Sequence, residues 1–261
     1  MYLANLAFVS ALGATAPALA PPASHPQAAP GDVATLDQPV AAEEALARDT
    51  RRGTLFHPSR PPLGRFRLGV GGLFDAIDPQ AIYGFELRFP HLTIDSRYGL
   101  GNGFSLTGHL DTILVINEVT VGGGWAQYYG PWSIEVGLEA GLFVGTLNEF
   151  GFDSTYLAPM YVPRVVAGHS WKDIAISLSL DSMFTFTQTV RVGEITENVG
   201  GGNSFLGARA MFMVENTLPR GGVWYYGVGA MLTRSYYQVW ILLPDSPELL
   251  GYARVLAGYE F

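Results

Sequence analysis

Apolar and polar side chains alternate with a period of two through most of the chain after Arg65. In residues 173–187, Ile174, Ile176, Leu178, Leu180, Phe184 and Phe186 fall on one face with Ser182, and Ala175, Ser177, Ser179, Asp181, Met183, Thr185 and Thr187 fall on the other. That is the pattern of a β-strand with one apolar side. Residues 132–144 repeat it, with Trp132, Ile134, Val136, Leu138, Ala140, Leu142 and Val144 opposite Ser133, Glu135, Gly137, Glu139, Gly141 and Phe143. Residues 206–214 set Arg209 opposite Ala208, Ala210, Phe212 and Val214. The fifteen-residue run at 173–187 exceeds the usual length of a soluble strand. With the charges on the face that would point inward, these runs fit a sheet whose outside meets lipid better than a soluble sandwich.

Turn residues divide the pattern into alternating short and long connections. Short links fall at residues 100–103 (LGNG), 129–131 (YGP), 170–173 (SWKD) and 218–222 (LPRGG), and longer ones at 146–159, 191–202 and 239–248. Ten strands are predicted, at about 65–75, 82–100, 103–116, 118–128, 131–146, 160–170, 172–188, 203–217, 222–238 and 249–261. The second is out of phase across Pro90, so eight or twelve strands also fit. The predicted fold is all-β, an up-and-down antiparallel transmembrane β-barrel. Aromatic residues gather beside the predicted strand ends, among them Phe66, Tyr98, Trp125, Tyr129, Trp132, Trp171, Trp224, Tyr236 and Trp240, as an interfacial girdle requires.

Residues 249–261 put Gly251, Ala253, Val255, Ala257, Tyr259 and Phe261 on one face and Tyr252, Arg254, Leu256, Gly258 and Glu260 on the other. A chain ending on Phe, with Tyr259 and Val255 on the same face, resembles the terminal strand of bacterial outer-membrane β-barrel proteins. The resemblance implies residence in the bacterial cell outer membrane and recognition of residues 249–261 by the barrel-assembly machinery.

The rest of the chain adjusts this picture. Residues 1–20 are apolar and end Ala18-Leu19-Ala20 before Pro21 and Pro22, as a secretory signal peptide does, although no Lys or Arg precedes the apolar stretch. Residues 21–64, rich in Pro and Ala, read as a flexible periplasmic leader in which 41–52 has the charge order of a short helix. The barrel is expected over 65–261. With 48% hydrophobic and 15% charged residues the chain is too apolar to be disordered, yet it has no apolar run of helix-spanning length after residue 20. No Cys is present, which excludes disulfides and Cys-based metal sites, and no cofactor is expected. A net charge of −8 argues against nucleic acid as a partner.

The inward face is where function is expected. The strand phases point Arg65, Arg67, Asp75, Asp95, Arg97, His109, Asp111, Glu118, Glu135, Glu139, Arg164, Asp181, Arg209, Glu215, Arg254 and Glu260 inward, a mixed-sign set with an excess of acids. Two outcomes suit it: paired charges that fill the barrel, or a narrow, mildly cation-preferring pore for small solutes. Inward glycines at Gly69, Gly71, Gly137, Gly141, Gly145, Gly207, Gly227 and Gly229 leave room for water or relieve crowding.

Other classes are weaker. An enzyme acting on surface lipid or peptide would draw on His109 and Asp111, two apart on one strand, but they lie mid-strand. His169 and Ser170 are adjacent and hence on opposite faces, and residues 122–124 (GGG) read as a bend rather than a phosphate loop. Adhesion through the longer loops is the third class. Outer-membrane lipids are expected partners in every case.

Overall fold

The computed structural model describes residues 54–76, 90–147, 153–171, 173–219, 221–234 and 249–261. The expected signal peptide, most of the expected leader including 41–52, residues 77–89 and residues 239–248 lie outside them. Ten strands follow in chain order: β1 (Phe66–Ala76), β2 (Pro90–Gly101), β3 (Phe104–Thr112), β4 (Ile116–Tyr129), β5 (Trp132–Leu147), β6 (Ser154–Trp171), β7 (Ile174–Val192), β8 (Ile195–Thr217), β9 (Val223–Arg234) and β10 (Leu249–Glu260). Each pairs antiparallel with its sequence neighbours, and β1 closes on β10 from Gly69↔Glu260 to Ala76↔Ala253, giving a closed barrel with no free sheet edge.

The period-two alternation becomes an inside and an outside. On β5 the lipid-side set Ile134, Val136 and Leu138 is about half exposed, while Ser133, Glu135 and Glu139 between them are buried. Leu180 on β7, Val228 on β9 and Val255 on β10 continue the apolar outer surface. At the end carrying the tight turns, Phe66, Phe104, Trp125, Tyr129, Trp132, Trp171, Trp224 and Phe261 are exposed. At the other end Tyr161 stacks on Phe184 at 5.3 Å and lies 5.1 Å from Phe186, and Phe205 meets Phe184 edge-on at 5.6 Å. Ten residues of strand tilted at about 40° separate Ile174 from Phe184, a height of about 25 Å, which is the apolar band of an outer-membrane barrel.

The turns explain themselves locally. Between β2 and β3, Gly101 (φ 81°), Asn102 (φ 53°) and Gly103 (φ 85°) form a left-handed run open only to Gly and Asn at low cost. The long loop expected at 191–202 is instead strand: β7 runs to Val192, Gly193 turns the chain with φ 59°, and β8 starts at Ile195. Alternation simply continues through Thr187, Thr189 and Arg191, while register slips around Thr185 and Thr187 absorb the glycines. The loop expected at 146–159 is likewise shorter, because β6 begins at Ser154. Pro159, which has no N–H to give, sits at the register shift between Leu157 and Met160.

The core is the lumen. Phe143, Tyr156, Met160, Val162, Met183, Leu206, Met231 and Tyr252 pack together in the half away from the tight turns. Leu73, Met211, Met213, Tyr225 and Leu256 form a second cluster nearer the turns, with Phe56 against it. Five of the six methionines are buried in these two clusters. Their unbranched chains fill the hollows opposite wall glycines: a Cβ added at Gly227 would fall 3.1 Å from the Met211 methyl and nearer still to the Met213 sulfur. The same holds for Gly122 and Gly124, whose space is taken by the side chains of Glu139 and Glu135. Gly122, Gly124, Gly227 and Gly229 thus accommodate long side chains from neighbouring strands, whereas Gly137 faces only backbone, and the 122–124 run is an uninterrupted part of β4 rather than a bend.

Candidate functional site: the barrel lumen

Between the two apolar clusters the lumen holds a network of charged side chains that links adjacent strands and, through Arg254–Asp111 and Arg209–Glu118, non-neighbouring ones. Arg254 on β10 donates from Nε to Asp75 Oδ1 at 2.6 Å and from Nη2 to Asp75 Oδ2 at 3.0 Å on β1, and reaches Asp111 on β3 at 3.5 Å. His91 on β2 contacts Asp111 through Nδ1 at 2.7 Å. Arg209 on β8 donates to Asp181 on β7 at 2.7 Å and to Glu118 on β4 at 3.4 Å. Arg164 on β6 donates to Glu139 at 3.3 Å, and the same carboxylate accepts from Thr107 at 2.9 Å and Thr120 at 2.7 Å. His109 pairs with Asp95 at 2.7 Å. Nearer the turns, Arg67 pairs with Glu260 at 2.9 Å and Arg97 with Glu135.

All ten candidate lumen residues lie on the inward face. Arg97, Asp111, Glu135, Glu139, Asp181, Glu215 and Arg254 are buried, while His109, Arg164 and Arg209 are half-buried around a cavity of about 70 Å³. That volume holds only a few waters. Arg65 was expected inward and is exposed, because it precedes β1: its N–H bonds the Pro62 carbonyl in a turn made by Gly64 (φ 80°). His109 and Asp111 do share a face, yet each takes its partner from β2, Asp95 and His91 respectively. His169 faces outward, its ring 4.6 Å from that of Trp132 and 4.3 Å from that of Trp171.

The largest departure concerns residues 54–62. Expected within a flexible leader, they cross the lumen at its turn end, with Thr54, Leu55, His57 and Ser59 buried. Glu215 accepts from the main-chain N–H of Leu55 (2.6 Å), Phe56 (3.1 Å) and His57 (2.7 Å). Arg97 donates to the carbonyls of Leu55 (3.4 Å), His57 (3.1 Å) and Ser59 (3.2 Å). Composition concealed this because the segment is short and proline-flanked. The available signal was the adjacent pair Leu55 and Phe56 ahead of Pro58, Pro61 and Pro62.

A closed antiparallel barrel with an even strand number, an apolar band between two aromatic belts and a charged interior is a transmembrane β-barrel of the bacterial outer-membrane type. Its tight turns and its C-terminus lie at the periplasmic end of such a barrel.

No protein-family model matches the sequence, and no curated protein matches it. Among solved structures it is similar to Neisserial surface protein A (8% identity, 75% of this chain and 94% of that one, TM-score 0.35). It is similar also to the translocator domain of the autotransporter NalP from Neisseria meningitidis (9% identity, 86% and 97%, TM-score 0.37). A third is Ail, the attachment invasion locus protein of Yersinia pestis (9% identity, 76% and 99%, TM-score 0.23). At these scores the architecture stands on the chain's own strand pairing and surface.

Proposed function

We propose that this outer-membrane barrel is a closed, non-catalytic membrane element rather than an open pore. The observation that carries the reading is the filled cross-section. Arg97, Arg164, Arg209 and Arg254 are each spent on carboxylates of other strands, and residues 54–62 lie across the periplasmic end. A barrel of ten strands is only slightly wider than one whose interior side chains fill completely. In this reading His91 and His109 anchor carboxylates and have no part in hydrolysis.

The test is planar-bilayer recording on the full-length mature protein at low and high salt. No discrete conductance steps are expected. Regular steps that scale with salt concentration would overturn the closed reading and restore the narrow pore, with Glu135, Glu139 and Asp181 as the groups setting its ion preference.

A further inference from the structure

We propose that the periplasmic half of the lumen is a binding site for polypeptide main chain, occupied in cis by residues 54–62 and able to exchange them for a second peptide of similar pattern. The inference rests on the closed-lumen reading and adds an occupant that can leave.

The seat reads backbone. One carboxylate, Glu215, takes three consecutive N–H groups, and one guanidinium, Arg97, takes three carbonyls at alternating positions. Six bonds of this kind ask that the peptide bend at its first three contact positions, as residues 55–57 do, so that three successive N–H groups turn to one carboxylate, and that it carry no proline there. Side chains are read as well: His57 Nε2 lies 3.3 Å from Ser133 Oγ, and two further places select. Phe56 enters the apolar cluster and meets the Tyr225 ring edge-on at 5.0 Å. Four residues on, the Arg60 guanidinium lies 5.4 Å from the Tyr128 ring centroid, donates to the Ala126 carbonyl at 3.3 Å and bonds Gln127. The pattern recognised is an aromatic residue followed at the fourth position by arginine.

The wall is shaped for a passing chain. A Cβ at Gly69 would stand 2.8 Å from Leu55, and one at Gly168 would stand 2.6 Å from His57 and 2.7 Å from Pro58. Residues 54–62 add no strand to the sheet, so the barrel's pairing is complete without them. They join β1 through Leu63 and Gly64, which are exposed. Phe56 also lines the internal cavity, so departure of the segment opens that cavity to the periplasm.

The experiment places a protease recognition sequence between Leu63 and Gly64 of the full chain, folds the protein into detergent, cuts it, and offers a fluorescent synthetic peptide of residues 51–62. The expected result is loss of the cut fragment on gel filtration and saturable rebinding of one peptide per barrel. Peptides with Phe56→Ala or Arg60→Ala should bind about tenfold more weakly, the loss of one anchoring contact. An E215Q barrel that still migrates as a folded species without boiling should also bind more weakly. A fragment that stays bound with no exchange, or equal binding of the Phe56→Ala peptide, overturns the proposal. Conductance of the uncut protein would instead sink the closed-lumen reading, so the two failures are distinguishable.

Discussion

Alanine in place of Arg254 is expected to destabilise the barrel by about 3–5 kcal/mol, the range found when one partner of a buried ion pair is removed. The side chain is almost inaccessible and holds Asp75 through two bonds while reaching Asp111. Its loss strips Asp75 and Asp111, both buried, of their guanidinium and leaves the two carboxylates beside the His91 ring. Urea titration of the protein in detergent micelles measures the effect. Adding Asp75→Ala to Arg254→Ala should recover part of the loss, because the second change removes a stranded charge. A single-variant loss below about 1 kcal/mol would mean that water already screens the network, as it does for exposed pairs.

Arginine in place of Leu180 tests the outer surface, with an expected cost of about 2–4 kcal/mol for a cation near the bilayer midplane. Leu180 is about half exposed and lies between Ile174 at one interface and the Phe184 belt at the other. In a protein surrounded by water the same change at so exposed a site would fall within about 0.5 kcal/mol of neutral. Unfolding equilibria measured from lipid vesicles separate the two cases. A neutral result would mean that this face meets water and would sink the membrane assignment.

The strands were legible because alternation is local: Ile174 to Phe186 declares its two faces without reference to any other part of the chain. The turns at 101–103 and 130 were legible for the same reason, since Gly and Asn are required where φ is positive. What sequence could not supply was the identity of partners. His109 sits two residues from Asp111, but antiparallel pairing with β2 brings Asp95 and His91 to them instead. The inward glycines suited either water or relief of crowding, and only the positions of Met211 and Met213 show that the space at Gly227 and Gly229 is taken. The seat of residues 54–62 was hidden most deeply, because its contacts to Glu215 and Arg97 are made by main-chain groups that every residue possesses.

Those contacts also impose an order of assembly. The N–H groups of Leu55, Phe56 and His57 reach a carboxylate 158 to 160 residues further along the chain. The segment leaves the ribosome before β8 has been made. Closing so long a loop early would cost entropy with no bond to offset it. Seating must therefore follow the arrival of β8, so that residues 54–62 enter a lumen built by strands that come after them.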